Sequence, residues 1–313
     1  MLNKNKRLLV TGGTGLVGKN LTDRLTGLGF EVLSFGSEHD LRNNEVCEKL
    51  VTDFKPDVVF HLAAKVGGIL ANSKYKADFY SDNVLINTNI VNAAARHGVG
   101  YIFAMGTGCA YPKRLENATL YEDDFLDGIP ELTNDAYAYA KRGLLAHLQA
   151  LAESGGPKFT YCLPSNIYGP YDNYHPEHSH VVPGLIRRFC DAQDSGLPSL
   201  KVWGDGTARR DFLFIDDCIN AIMSLVNHES EGVFNVCTGQ LASVRQLANE
   251  IKMSSGFAGE ILYDDTFPAG QMQRVFDTSK MDQLGWKPSV SLANGIIQTI
   301  EWFRANRQLI RER

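Results

Sequence analysis

The chain has 313 residues, 44% of them hydrophobic and 21% charged, which is enough for one large or two modest cores. A net charge of −5 leaves no basic footprint and argues against a nucleic-acid partner. No apolar run approaches the roughly 18 residues of a membrane span, and MLNKNKRLLV leads straight into a glycine loop, so a cytoplasmic protein is expected.

The first predicted strand, RLLV (7–10), runs into TGGTGLVG (11–18), with Gly12, Gly15 and Gly18 three apart, and then into the helix-like KNLTDRL. Strand, glycine turn and helix in that order let the backbone approach a pyrophosphate and meet its charge with helix N–H groups. A second strand, EVLSF (31–35), ends in GSEHD. We expect no carboxylate at its tip to grip a ribose 2′-hydroxyl, which leans toward NADP, with Ser37 and Arg42 as partners for a 2′-phosphate and Asp40 meeting the adenine. The third strand is DVVFHLAA (57–64), followed by a helical stretch with apolar residues at Leu85, Ile86, Ile90, Val91 and Ala94. The fourth, YIFAMG (101–106), delivers a hydroxyl, a bare glycine and a thiol in succession at Thr107, Gly108 and Cys109. Taken alone, that cysteine reads as a small buried hydrophobe.

Next comes NDAYAYAKRGLLAHLQALA, a helix with Asn134 or Asp135 as its cap. Tyr137 and Lys141 share one face of it, and a neighbouring ammonium favours the phenolate, which would bring tyrosine proton exchange toward neutral pH. Tyr139 has no lysine four residues on and is assigned to packing. A fifth strand, FTYCLPS (159–165), is followed by an irregular stretch, NIYGPYDNYHPEHSHVVPG, before regularity returns once in DFLFIDDCINAIMSLV. His175, His178 and His180 lack a carboxylate pattern to support them as ligands, and no metal site is expected. The six cysteines are far apart with no CxxC pair and are expected to be reduced.

Apolar runs alternating with helical stretches predict an α/β, Rossmann-type doubly wound parallel sheet with a smaller, interwoven C-terminal substrate-binding domain. We place residues 1–166 plus 211–240 in the dinucleotide-binding domain and 167–210 plus 241–313 in the substrate-binding one.

TGxxGxxG, HLAA, YxxxK and RRDFLFIDD together resemble the extended short-chain dehydrogenase/reductases. HLAAKVGGILAN (61–72), GTGCAYPK (106–113), SNIYGPYDNYHPEHSHVVPGLIRRF (165–189), VWGDGTARRDFLFIDD (202–217) and LGWKPSVSLANGI (284–296) are similar to the members that epimerise and reduce GDP-4-keto-deoxy sugars. The resemblance implies NADP(H) as cofactor and GDP-4-keto-6-deoxy-D-mannose as substrate, with epimerisation at C3 and C5 and then hydride transfer to C4. It implies Cys109 and His180 as the acid/base pair of epimerisation, Tyr137 and Lys141 as the reductase pair, and Thr107 where the family usually has Ser. It further implies cofactor contacts from Gly12, Thr14, Gly15, Leu16, Val17, Gly18, Ser37, Asp40, Leu41, Ala63, Ala64, Lys141, Pro164, Asn166, Ile167 and His180. Substrate contacts fall to Arg188, Trp203, Arg210 and Asp277, and a homodimer to the NVLINTNIVNAAA and YAYAKRGLLAHLQALA helices.

The chemistry agrees with that assignment. A 4-ketone acidifies the protons on C3 and C5, and a thiol of ordinary pKa about 8.5 with an imidazole near 6.5 brackets the operating pH. Another GDP-4-keto sugar, a 3,6-dideoxy sugar or a heptose, stays open, and a non-enzymatic dinucleotide sensor is the reading from a different class. The chain departs from the family at Gly108, where a small polar residue is expected, and at a cofactor tip without the usual arginines.

Overall fold

The computed structural model describes residues 2–115, 117–176, 179–266 and 272–310, so His178 lies outside it. β1 (Arg7–Thr11) turns through the glycine loop into α1 (Leu16–Gly27), followed by β2 (Glu31–Phe35), α2 (Asn44–Phe54), β3 (Val58–His61), α3 (Ile69–Lys74), α4 (Lys76–Arg96) and β4 (Tyr101–Met105). Then come β5 (Thr119–Leu120), α5 (Asp135–Glu153), β6 (Lys158–Pro164), β7 (Asn166–Tyr168), α6 (Val181–Asp194), β8 (Ser199–Trp203) and β9 (Arg209–Phe214). The chain ends with α7 (Ile215–Asn227), β10 (Gly232–Val236), β11 (Leu241–Ser243), α8 (Val244–Ser255), β12 (Glu260–Asp264), β13 (Val275–Phe276), α9 (Ser279–Gln283) and α10 (Leu292–Ala305).

The five apolar runs become neighbours in one parallel sheet of order β10-β6-β4-β3-β1-β2. All four residues of β3 and all five of β4 are buried, as strands covered by helices on both faces must be. Successive residues feed opposite cores: Leu8 and Val10 pack in one, Leu9 in the other. α1 packs beside α7 and α4 beside α5. The chain winds one way from β1 to β2 and the other way from β3 onward, so the order reverses between β1 and β3. A ligand crevice is expected at that switch point, outside the carboxyl ends of the strands.

β10 is a sixth sheet strand that the apolar runs did not mark. It sits at the edge beside β6, and only Asn235 and Val236 of its five residues are buried. DFLFIDD behaves differently again: β9 leaves the main sheet and lies between β7 and β11. Two further small sheets pair β8 with β12 and β5 with β13. Tyr139 is 43% exposed, so its assignment to packing is corrected for packing within this chain; the α5 surface it occupies faces outward. Among the described residues, no helix is long and apolar enough to cross a membrane.

Candidate active site

Two loop glycines are required by geometry. Gly12 has φ +68°, and a Cβ there would lie 2.8 Å from the Ala63 nitrogen; a Cβ on Gly18 would come within 2.1 Å of the Gly12 carbonyl oxygen. Gly15 is the N-cap of α1 and brings no side chain to it, so the helix opens on the backbone of Leu16, Val17 and Gly18. A bare helix start above a glycine turn fits a diphosphate.

Beneath the turn lies a polar chain that the sequence motifs do not announce, although HLAA contains its histidine. Leu62 and Ala63 each donate a backbone N–H to Thr11 Oγ1 at 3.1 Å. With its lone pairs taken, Thr11 donates to His61 Nδ1 (3.0 Å), which leaves Nε2–H to donate to Asn87 Oδ1 (2.9 Å). Asn87 Nδ2 reaches the Ala140 carbonyl at 3.3 Å, one residue before Lys141. His61 is fully buried, and burial, helped by the Lys141 charge, lowers its pKa from 6.5 to about 4.

Between those values the unfolded chain binds a proton that the native protein does not, so stability falls as pH drops through the window. A depression of that size corresponds to about 3 kcal/mol, fully lost below the folded value. We expect urea midpoints to decline between pH 6.5 and pH 4, with His61→Gln flattening that decline. An unchanged slope in the variant would refute the assignment.

The tip of β2 corrects one expectation. Glu38 folds back so that its Oε1 accepts the Gly36 N–H at 2.7 Å, which puts a carboxylate where none was expected. Arg42 is also already engaged: its Nε and Nη2 donate to Asp40 at 2.9 and 2.8 Å, and Nη1 to Asp82 at 3.3 Å. The Arg42 hydrogen bonds hold the Asp40 carboxyl down at about 2. Lys65 reaches Asp82 from the other side at 2.7 Å. Ser37 is exposed beside this network, and Leu41 is buried below it.

At the end of β4, Thr107 caps the single turn Gly108–Ala110, its Oγ1 accepting from the Cys109 N–H at 3.3 Å and lying 3.0 Å from Cys109 Sγ. Five of the six cysteines are buried; Cys109 is the partly exposed one. Asn134 is the N-cap of α5 but its side chain makes no capping bond, while Asp135 accepts from the Ala136 N–H at 2.7 Å. Lys141 is 1% exposed, and its Nζ donates to the Met105 carbonyl at 2.8 Å. Burial brings its pKa down to about 8, with Cys109 opposing, so the ammonium persists at neutral pH. That Nζ stands 5.9 Å from the centre of the Tyr137 ring.

The fold moves the Tyr137 phenol opposite to the direction that the neighbouring ammonium alone implies. Burial pushes the Tyr137 phenol up, and the negative charge of a Cys109 thiolate would push it further. Tyr137 is therefore a protonated group, suited to donate. The structure thus gathers Thr107, Cys109, Tyr137 and Lys141 at one strand end. His180 comes from elsewhere in the chain: it is exposed, and it is the N-cap of α6 without a side-chain capping bond.

Pro164 ends β6, and Asn166 and Ile167 open β7, on the same side of the sheet as the glycine loop. Asn166 Nδ2 donates to the Asp211 carbonyl at 2.9 Å. Asp211 itself, 2% exposed, was missed by sequence reasoning. Its carboxylate accepts from Ser165 Oγ (2.6 Å), Thr238 N (3.0 Å), Thr238 Oγ1 (2.9 Å) and Gly239 N (2.8 Å). Neighbouring Arg210 donates to the Arg209 carbonyl at 2.8 Å. Arg188 lies 6.0 Å from the Trp203 ring centre, and that ring is 50% exposed, a flat face backed by a cation. Asp277 accepts from Ser279 N and Oγ at 3.1 and 2.9 Å, closing the turn that leads into α9.

Residues 8–237 match the NAD dependent epimerase/dehydratase family. The chain is 39% identical over 310 residues to GDP-L-fucose synthase 1 of Arabidopsis thaliana, covering 98% of this chain and 95% of that protein. It is 34% identical to the Escherichia coli GDP-L-fucose synthase, covering 98% and 99%. A GDP-L-fucose synthetase from Naegleria fowleri solved with NADP superposes with a TM-score of 0.90 at 30% identity, covering 99% of this chain and 98% of that one. The glycine turn on a parallel sheet, the YxxxK helix and the full-length similarity all lead to one assignment: the chain belongs to the NAD dependent epimerase/dehydratase family.

Proposed function

We propose that the chain is an NADP-dependent epimerase-reductase that converts GDP-4-keto-6-deoxy-D-mannose to GDP-L-fucose. The observation that carries this reading is the juxtaposition of a thiol and hydroxyl 3.0 Å apart with a half-buried Tyr137 and a buried Lys141 at the end of β4. A reductase alone has no need of the thiol. The thiol makes the site fit for moving protons as well as hydride.

In this mechanism Arg188, Trp203, Arg210 and Asp277 receive the nucleotide sugar, a ring and cations suiting the base and diphosphate. Tyr137 and Thr107 hold the 4-oxygen, so the negative charge that develops there when C3 or C5 loses its proton is met by two O–H donors. Cys109 and His180 remove and return the protons from opposite faces. Lys141, anchored on Met105, keeps a positive charge beside the tyrosine. NADPH, when bound along Gly12–Gly18, Ala63, Ala64, Pro164, Asn166 and Ile167, supplies the hydride for C4, and Tyr137 then gives its proton to the oxygen.

The carboxylate of Glu38 works against a 2′-phosphate at the β2 tip, so Glu38→Gln should tighten NADPH binding several-fold and leave NADH unchanged. Nicotinamide fluorescence titration checks this. Equal gains for both cofactors would mean that Glu38 only shapes the turn.

The division of labour we assign places residues 1–166 and 211–240 around the cofactor and the remainder around the sugar. A cytoplasmic homodimer completes the proposal. α4 and α5 pack side by side and leave Tyr80, Leu85 and Tyr139 more than two-fifths exposed, which suits a four-helix interface; light scattering should give twice the chain mass. The deciding experiment offers purified protein NADPH and a panel of GDP-4-keto sugars, following nicotinamide absorbance and product stereochemistry. A heptose or dideoxy substrate turned over faster than the 6-deoxymannose derivative would replace this reading with that of a relative acting on another GDP-4-keto sugar.

A further inference from the structure

Gly108 stands between the two groups that the proposed reaction needs, Thr107 and Cys109, and its backbone does not call for glycine, since its φ lies outside the left-handed region. The space around it does. A Cβ on Gly108 would lie 2.5 Å from Phe276 Cζ, 2.8 Å from Phe276 Cε1 and 3.0 Å from the Pro164 carbonyl oxygen. The aromatic ring therefore occupies the place where a side chain at 108 would stand. A small residue in the turn and a large one on β13 act as one packed pair.

That ring is itself held on several sides. Phe276 is 6% exposed and meets Tyr111 edge-on, with ring centres 6.0 Å apart. Tyr111 donates its hydroxyl to Asn235 Oδ1 at 2.7 Å, and Asn235 Nδ2 donates to the Leu120 carbonyl at 2.9 Å. Leu120 is the residue paired with Phe276 across β5 and β13, and its carbonyl also accepts the Asp277 N–H at 3.1 Å. The loop that carries the thiol, the edge strand β10 and the β5–β13 ladder are thus closed into a ring of contacts that runs through Phe276.

We propose that Phe276 is a positioning residue that fixes the Thr107–Cys109 turn against the sheet and so sets where the thiol and hydroxyl point. This rests on the epimerase-reductase reading above. Because Asp277 follows Phe276 directly, the same segment ties the Thr107–Cys109 turn to a residue proposed to contact the sugar.

The test compares Phe276→Leu, Gly108→Ser and the double variant. Two quantities are measured on each: the ratio of solvent-deuterium exchange at the sugar carbons to NADPH oxidation, and the rate at which iodoacetamide alkylates Cys109 in the folded protein. The second requires no substrate, and the other five cysteines are buried. We expect each single variant to lower the exchange-to-reduction ratio about tenfold, the range over which small misplacements of a catalytic group act. Both should shift the alkylation rate, and the double variant should return both quantities to within about threefold of the starting protein.

Single variants with unchanged ratio and unchanged alkylation, or a double variant no better than Gly108→Ser, would overturn the proposal. If Phe276→Leu does not fold, Phe276→Met replaces it in the same cycle, under the same criteria. Should the wild-type protein turn over no GDP-4-keto sugar, the functional reading fails, while coupled alkylation rates still decide whether Phe276 positions the thiol.

Discussion

Cys109→Ser should lower solvent-deuterium exchange and epimerisation by a factor on the order of 10² or more, while reduction of the unepimerised ketone persists. The substitution preserves size but replaces a thiol with a far less acidic hydroxyl. The hydroxyl of Thr107, 3.0 Å from the sulfur, is retained, and in the proposed mechanism it still holds the 4-oxygen in place. Exchange is read by NMR or mass spectrometry on GDP-4-keto-6-deoxymannose, with NADPH consumption followed in parallel. Exchange at the wild-type rate would make the thiol a packing group beside the site.

Tyr137→Phe should divide the two activities the other way, with NADPH oxidation falling by about 10³ and exchange at the sugar carbons still detectable. Burial pushes the phenol up, and in the proposed mechanism it enters the reaction protonated and neutralises the alkoxide formed at C4. Thr107 keeps part of the enolate's hydrogen bonding in the variant. Parallel loss of both activities would show that Tyr137 is needed to stabilise the enolate as much as to protonate the alkoxide.

Much of this site is legible in the chain because its signals are local. The glycine turn follows a strand and opens a helix, and Tyr137 and Lys141 are one helical turn apart. What escapes a sequence depends on contacts between distant residues. Nothing near His61 in sequence announces that Thr11 and Asn87 flank it, and nothing near Asp211 announces that Ser165, Thr238 and Gly239 converge on it. The direction in which Tyr137 titrates is hidden for a similar reason: spacing shows that a cation is close, but only the fold shows how much water is removed. Glu38 is not at the strand tip itself, and the chain doubles back by two residues to bring its carboxylate there.

β10, the last strand to join the main sheet, sits outside β6 and comes from a segment more than sixty residues further along the chain. The six-stranded sheet that carries the glycine turn is therefore not an N-terminal module that evolution or an engineer can lift out by a single cut. A fragment ending at residue 166 would expose the whole flank of β6, a run of unpaired backbone groups with six buried residues in seven, and such an edge recruits other strands. Fusions, truncations and split reporters built on this protein must keep residues 232–236 with the first half, or accept aggregation in place of a smaller enzyme.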